Sequence, residues 1–410
     1  MKRLIILAAT LIAGLSACDS LLDKEPLDRV TQFDYFKTRS DLELFSNPFY
    51  DNLLDKTPYD EQNDLLVQMT LSDVLYGGDK RTVPNTGGGW SWGNLRRINT
   101  LLEYVDQCED KKAVTEYTAL AKFFRAAFYF DKVKRFGDVP WYDEPIDPDD
   151  DEQLYKGRDP RDYVMQKVLE DLDFAATWCS KASKYVNTNV INRYVALALK
   201  SRICLYEGTW RKYHGLDGSE EWLRACVAAS EELMGDSPYS LVSTAGEETT
   251  NYSKVFKSEE PQYTEVILAN EFNATLNRFH DASWYYASGS YGQRNSGPKA
   301  FVNMYLNLDG TRFTDKDGYN KTQFKDEFAG RDYRLRQTFI TPYYVKKVGG
   351  KETNEFAKVF PGLTTQLTYY RIIKWNTDDD ANESNTSSAN SLPVFRYAEI
   401  LLNEAEAKAE

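Results

Sequence analysis

The chain has 410 residues, enough for two average domains or one large one, and 42% of them are apolar, so a substantial core is possible. Its formal net charge of −13 repels phosphate backbones, which excludes nucleic acid as an expected partner. The chain has only two histidines, His214 and His280, and no HExxH motif, so we expect no zinc site and no cofactor.

The first 17 residues predict a targeting segment. A basic start precedes an apolar run at residues 4–12, which is too short to span a bilayer. Residues 15–18, Leu-Ser-Ala-Cys, resemble the lipobox of bacterial lipoproteins, in which the cysteine becomes the first mature residue and carries the lipid. We therefore expect a lipid anchor such as palmitate on Cys18; an ordinary signal peptide with an incidental cysteine is the alternative.

Residues 19–60 are polar and irregular, with a helical hint at residues 41–45, and residues 77–91 form a glycine-rich loop. Helical periodicity starts near Trp92. The strongest helical signal follows, at about residues 115–136, where apolar residues occupy more than one side of the helix. Gly137 and Pro140 end this helix, and its pattern predicts burial between neighbouring helices.

Further amphipathic stretches follow in pairs. Asp159 is predicted to cap one helix, a second runs from about residue 192 to 207, and Ser219 is predicted to cap a third that ends at Gly235. This order predicts helix hairpins stacked like a tetratricopeptide solenoid. The acidic run at residues 147–152 is expected to be a solvated loop, with weak calcium binding as the alternative.

Four cysteines outside the targeting segment have no motif spacing. We expect them to be buried small apolar residues, although an oxidising compartment permits disulfides. They are Cys108, Cys179, Cys204 and Cys226.

The character of the sequence changes between residues 236 and 391. Turn signals are frequent, and short strand-like pieces occur at residues 265–268 and 367–373. A strong helical pattern returns at residues 395–407. Because the chain stops at Glu410 inside this pattern, we expect a C-terminal truncation.

The predicted fold class is mainly α, a tetratricopeptide-like helical-hairpin scaffold with a loop-rich, irregular region that carries short strands. We expect one domain at residues 18–410 after a signal peptide at residues 1–17. Within it we distinguish a helical scaffold at 18–235, a loop-rich variable region at 236–391 and a return to scaffold helix at 392–410.

Several segments together carry a resemblance to a known family. They are Cys18 with residues 22–26, then residues 92–102, 121–130, 135–140, 171–176, 196–202, 331–335 and 396–407. In this order they resemble the SusD/RagB family of outer-membrane nutrient-binding lipoproteins. The resemblance implies a non-catalytic, lipid-anchored protein of the outer membrane that faces the exterior. It would bind oligosaccharides and pass them to a SusC-like TonB-dependent transporter.

Three other functions stay open. A peptide-binding member of the same transport system is the main alternative, and a structural adhesin is another. A glycan-hydrolysing enzyme is less favoured, because the chain has no GxSxG motif and no pair of acids isolated in an aromatic setting. Arg125, on the predicted buried helix, is interpreted as a paired structural charge.

Two stretches combine flat aromatic rings with hydrogen-bonding groups, as recognition of a sugar requires. Core packing is the alternative for the aromatic residues of both. The first stretch is Trp90, Trp92 and Asn94, beside three glycines, and the second is Trp284, Tyr286, Tyr291 and Arg294, in a loop of glycine and serine.

Overall fold

A computed structural model describes residues 35–53, 63–68, 75, 85–288, 295–356, 367–384 and 386–410. The predicted targeting segment with Cys18, and the predicted site residues Tyr291 and Arg294, lie outside the described residues.

The described chain is mainly helical, as the sequence predicts. The α-helices are α1 Arg39–Ser46, α2 Tyr50–Leu53, α3 Gly93–Tyr104, α4 Lys111–Phe136, α5 Asp151–Leu154, α6 Arg161–Trp178, α7 Arg193–Tyr213, α8 Ser219–Asp236, α9 Asn251–Lys257, α10 Ala282–Ala287, α11 Lys299–Met304, α12 Tyr333–Thr338 and α13 Tyr397–Ala409. The strands are β1 Val67–Gln68, β2 Val266–Asn270, β3 Asn295–Ser296, β4 Val345–Val348, β5 Lys351–Asn354 and β6 Leu392–Arg396. They form antiparallel pairs β1–β3, β2–β6 and β4–β5.

The long helices form a stack of hairpins. Helix α4 packs against α3 and α6, α6 packs against α7, and α7 packs against α8. Helix α13 extends the stack by packing against both α7 and α8. The loop-rich region is therefore inserted between two helices that pack together, α8 and α13.

Helix α4 packs between α3 and α6 in the scaffold. It begins at Lys111, earlier than predicted, because the Asp110 carboxylate accepts the backbone N–H groups of the first turn. It ends at Gly137, which has a φ of 69° and donates its N–H to the Val133 carbonyl. Phe123 and Tyr129 on this helix are completely buried, which confirms the predicted burial.

Both predicted caps of the following helices are wrong. Asp159 accepts the backbone N–H of Trp141 instead of capping α6, and the N–H of Arg161 that opens α6 donates to the Asp138 carboxylate. Ser219 lies inside α8, and the cap position belongs to Gly218, whose φ is 82°. The acceptor for α6 therefore comes from a distant part of the chain, and α8 has no side-chain cap.

The loop-rich region agrees with prediction in part. The predicted strand at residues 265–268 is confirmed as β2, but residues 367–373 form isolated bridges at Arg371 and Ile372 and no strand. These two residues bridge to separate segments, at Ser296 and Phe339, so no continuous ladder can form. The predicted terminal helix begins at Tyr397, because the two residues before it belong to β6.

The expectations for the acidic run and the cysteines are confirmed. Residues 147–152 are exposed, and part of the run forms the short helix α5. All four cysteines of the described chain are buried with free thiols, and burial raises the pKa of the Cys179 thiol to about 12. Among the described residues, no helix combines the length and apolar character needed to cross a bilayer.

Candidate functional site

The glycine-rich loop before α3 positions two tryptophans. Gly87 and Gly89 have φ values of 79° and 83°, a conformation that side chains with a Cβ rarely adopt. The Lys132 ammonium on α4 donates a hydrogen bond to the Gly89 carbonyl and lies 5.7 Å from the ring centroid of Trp92. This contact fixes the loop on the scaffold directly beside Trp90 and Trp92.

Trp90 and Trp92 contact each other. Their ring centroids are 5.1 Å apart at an interplanar angle of 77°. Trp90 also packs edge-on against Phe136 but remains 44% exposed, whereas Trp92 is partly buried against Tyr129 and Tyr142. Trp90 therefore offers free ring surface, and Trp92 contributes to both the core and the site.

The two tryptophans line an open cavity of about 350 Å³. Apolar and aromatic residues form most of its wall, and four residues add polar side chains. The apolar and aromatic residues are Trp90, Trp92, Leu95, Pro140, Tyr142, Pro145, Ile146 and Leu154, and the polar ones are Arg96, Asn99, Glu144 and Lys156.

Hydrogen bonds hold the segment after Pro140 against α3, and this segment forms one wall of the cavity. The Asn99 side-chain amide donates to the carbonyls of Tyr142 (2.9 Å) and Glu144 (3.2 Å), and Arg96 donates to that of Ile146 (2.6 Å). The Lys156 ammonium donates to the Trp141 carbonyl and lies 4.6 Å from the ring centroid of Tyr142. The cavity wall is thus fixed in place.

The Tyr142 hydroxyl stays protonated at neutral pH. Burial, and to a smaller extent the Asp159 carboxylate, raise its pKa above the usual value. The hydroxyl donates to the Gln153 carbonyl at 2.9 Å, which ties the segment around α5 to the cavity wall.

Asn94 does not join the tryptophans. It lines a separate cavity of about 260 Å³, together with Arg97, Phe128, Asp131 and Lys132 among others. Burial lowers the pKa of Lys132, and the nearby Asp131 offsets part of this effect. The structure therefore divides the first predicted stretch between two cavities.

The described residues of the second predicted stretch, Trp284 and Tyr286, lie on α10. Tyr286 is completely buried, with ring centroids 5.2 Å from both Tyr285 and Trp375, and Trp284 is partly buried. Neither Trp284 nor Tyr286 lines either of the two cavities. The placement of Tyr286 matches the core-packing alternative, because no face of its ring is open to a ligand.

The residues of the cavity wall that were not predicted as site residues include Arg96, Asn99, Tyr142 and Lys156. A signal for Tyr142 is present in the sequence, because an aromatic pair follows Pro140 directly after the helix stop. The other three carry no comparable signal, since their roles depend on the fold of residues 140–156.

Comparison with known proteins gives consistent results. Residues 264–410 match the model of the SusD family. SusD-like protein P25 of Formosa agariphila is 22% identical over 451 aligned residues, which cover 99% of this chain and 78% of that protein.

Two solved structures from Bacteroides fragilis share the fold. A SusD-like protein has a TM-score of 0.71 and 19% identity, with 94% of this chain and 78% of that chain covered. A SusD-like carbohydrate-binding protein has a TM-score of 0.67 and 18% identity, with 91% and 74% covered. The resemblance expected from the sequence is confirmed.

Proposed function

We propose that this SusD-like chain is a non-catalytic lipoprotein of the outer membrane that binds oligosaccharides and passes them to a SusC-like TonB-dependent transporter. The observation that carries the binding proposal is the cavity beside Trp90 and Trp92. Its volume of about 350 Å³ lies in the range of small-molecule sites, about 300–1,000 Å³. The solved SusD-like protein described as carbohydrate-binding supports the ligand class.

The cavity wall matches the surface of a sugar. A sugar ring has apolar C–H faces, which pack on flat aromatic rings, and the exposed ring of Trp90 is available for this contact. Sugar hydroxyls both donate and accept hydrogen bonds, and Arg96, Glu144 and Lys156 supply donors and an acceptor along the same wall.

The same wall supports binding without catalysis. Glycoside hydrolysis ordinarily needs two carboxyl groups on either side of the scissile bond. Among the described residues of this cavity wall, Glu144 is the only carboxylate. The nearby Asp159 carboxylate does not line the cavity. It accepts the Trp141 N–H and lies 3.3 Å from the Lys156 ammonium.

A binding screen tests the ligand class. Purified protein is titrated with oligosaccharides from plant, host and microbial sources and with peptides, by isothermal titration calorimetry. For an oligosaccharide that binds, we expect Trp90→Ala to weaken affinity by about tenfold, a typical loss for an aromatic contact at the centre of a site. Trp178→Ala is the matched control, since Trp178 is 53% exposed on α6 and lines neither cavity.

Other results of the screen would change the proposal. Binding of peptides alone would support the peptide-transport alternative, and equal affinities of the Trp90→Ala variant and the wild type would remove the cavity from the proposal. Release of new reducing ends from any bound glycan would contradict the absence of catalysis. Membrane attachment is tested separately with Cys18→Ala, which we expect to release the protein from the membrane fraction.

A further inference from the structure

The cavity of about 350 Å³ has few polar groups that a ligand can use. Asn99 is 1% exposed, and its amide nitrogen already donates to two backbone carbonyls. The Tyr142 hydroxyl donates to a backbone carbonyl, and the Lys156 ammonium is engaged by a carbonyl and a carboxylate. The polar groups left for a ligand are therefore mainly the side chains of Arg96 and Glu144, which are both exposed.

Aliphatic side chains form a large part of the same wall. They belong to Leu95, Pro140, Pro145, Ile146 and Leu154. A sugar hydroxyl placed against such side chains loses its hydrogen bonds to water and gains none, which costs free energy. This part of the wall therefore favours a ligand that carries an apolar group in addition to its hydroxyls.

The two available polar side chains lie close to one of these aliphatic residues. Arg96 uses one nitrogen, Nη1, to donate to the Ile146 carbonyl at 2.6 Å, which leaves its other N–H groups for a ligand. Glu144 lies two residues before Ile146 and lines the same wall. Within the described chain, neither Arg96 nor Glu144 forms an ion pair. A donor, an acceptor and an apolar surface are thus available together.

An acetamido group matches this combination. Its carbonyl can accept from a guanidinium, its N–H can donate to a carboxylate, and its methyl group can pack on an aliphatic side chain. A hydroxyl would leave the aliphatic surface without an apolar partner. A carboxylate or sulfate would be attracted by Arg96 but repelled by Glu144 and by the exposed acidic run at residues 147–152.

We infer that this cavity takes an oligosaccharide that contains an N-acetylated amino sugar, with the acetamido group at Arg96, Glu144 and Ile146 and a sugar ring on Trp90. This inference rests on the proposed function, and it adds the substituent that the site selects. A peptide also contains amide groups, but the exposed ring of Trp90 favours a sugar, because a flat ring packs well on the C–H face of a pyranose.

Matched pairs of probes test the inference by isothermal titration calorimetry. The members of each pair differ at C2, where one has an acetamido group and the other a hydroxyl. The pairs are chitotriose with cellotriose, N-acetylglucosamine with glucose, and N-acetylgalactosamine with galactose. We expect the acetylated member of at least one pair to bind about tenfold more tightly, from one buried methyl group and one added hydrogen bond. Because these ligands are uncharged, the advantage should persist between about 50 and 500 mM NaCl.

Variants then locate the acetamido group. Ile146→Ala should lower the affinity for the acetylated member more than that for the hydroxyl member, so the ratio between them falls about fourfold. Trp90→Ala should weaken both members by a similar factor, because it removes the ring contact that they share. Leu216→Ala is the control for Ile146→Ala, since Leu216 is a part-exposed aliphatic residue that lines neither cavity. Circular dichroism checks that each variant is folded.

The outcomes separate this inference from the proposed function. Equal binding of the two members in every pair, or an Ile146→Ala loss equal for both members, would overturn the acetamido ligand and leave oligosaccharide binding intact. Binding of peptides without any glycan would overturn it in favour of the peptide-transport alternative. If no member of any pair binds and the wider screen also finds no glycan, both proposals are wrong.

Discussion

Arg125 shows how a buried charge is accommodated in this scaffold. Its guanidinium donates to both oxygens of Asp171, at 2.6 Å and 2.9 Å, and to the Asp143 carbonyl at 3.2 Å. Asp171 also accepts from Lys122 at 2.7 Å, and the guanidinium lies 5.1 Å from the ring centroid of Trp141. Because Arg125 and Asp171 are both buried, removing Arg125 leaves the Asp171 carboxylate with the part-exposed Lys122 as its one remaining ionic partner among the described residues.

We predict that Arg125→Ala lowers the free energy of unfolding by about 3–5 kcal/mol, the usual cost of breaking a buried ion pair. Urea denaturation followed by tryptophan fluorescence measures it. Arg224→Ala is the control, since the Arg224–Glu220 pair is exposed on both sides and should change stability by less than about 1 kcal/mol. Protein that remains folded should keep its affinity for an oligosaccharide, and a selective loss of binding would instead make Arg125 a site residue.

At this scale, the sequence predicted the type of interaction but not its partner. A charged residue on a helix that is apolar on several sides has to be paired, so the structural role of Arg125 followed from the pattern alone. That Asp171 is the partner depends on how α4 packs against α6. Tyr286 illustrates the opposite case, because an aromatic residue in a glycine-rich stretch is compatible with both ligand contact and core packing.

Close packing of α7 against α8 depends on a glycine. A Cβ on Gly208 would lie 2.7 Å from Leu223 Cγ and 3.1 Å from the Leu223 backbone nitrogen, distances that real side chains avoid. Gly235 in α8 is also helical, yet a Cβ there would meet no atom within 4 Å. The two glycines therefore share a helical backbone, but a neighbouring helix approaches closely only at Gly208.

We predict opposite effects of the same substitution at these two positions. Gly208→Ala should lower the free energy of unfolding by about 1–3 kcal/mol, because the added methyl group overpacks the interface. Gly235→Ala should raise it by about 0.5–1 kcal/mol through helix propensity. Thermal unfolding followed by circular dichroism measures both variants, and destabilisation of similar size at the two sites would contradict the packing argument.

The helices themselves were predictable from periodicity, whereas their caps were not. The helix from residue 115 and the end at Gly137 follow from local pattern. The carboxylate that accepts the first N–H of α6 comes from Asp138, more than twenty residues before it, so no local capping rule could identify it. The cavity could not be predicted from local sequence either, because Tyr142 and Lys156 come close to α3 only when the segment after α4 folds back.

At the scale of the whole molecule, β6 and α13 return the chain from the loop-rich region to the scaffold. Strand β6 pairs with β2, and Arg396 at its end contacts Glu265 at 2.6 Å. Arg202 on α7 donates to the Val394 carbonyl at 2.7 Å and to the Glu399 carboxylate, and it lies 4.1 Å from the ring centroid of Phe395. These contacts join the two regions.

We predict that the wild-type protein unfolds in a single calorimetric transition and that Arg202→Ala lowers its stability by about 1–2 kcal/mol, since a part-exposed ion pair and a hydrogen bond to a carbonyl are lost. Lys408→Ala is the control, because its ion pair with Glu231 also joins α13 to α8 but is exposed. Its effect should stay below about 1 kcal/mol. Two separate transitions in the wild type would show that the loop-rich region unfolds independently.

The insertion between α8 and α13 also has a consequence for the order of folding. About 160 residues separate the end of α8 from the start of α13, yet the two helices pack together. The chain is synthesised from its N-terminus at about 5–20 residues per second. Part of the apolar face of α8 therefore stays uncovered for roughly 10–30 seconds, until α13 has been made. During that interval the nascent protein presents a ready surface for chaperones and for aggregation, and such a non-local contact slows folding.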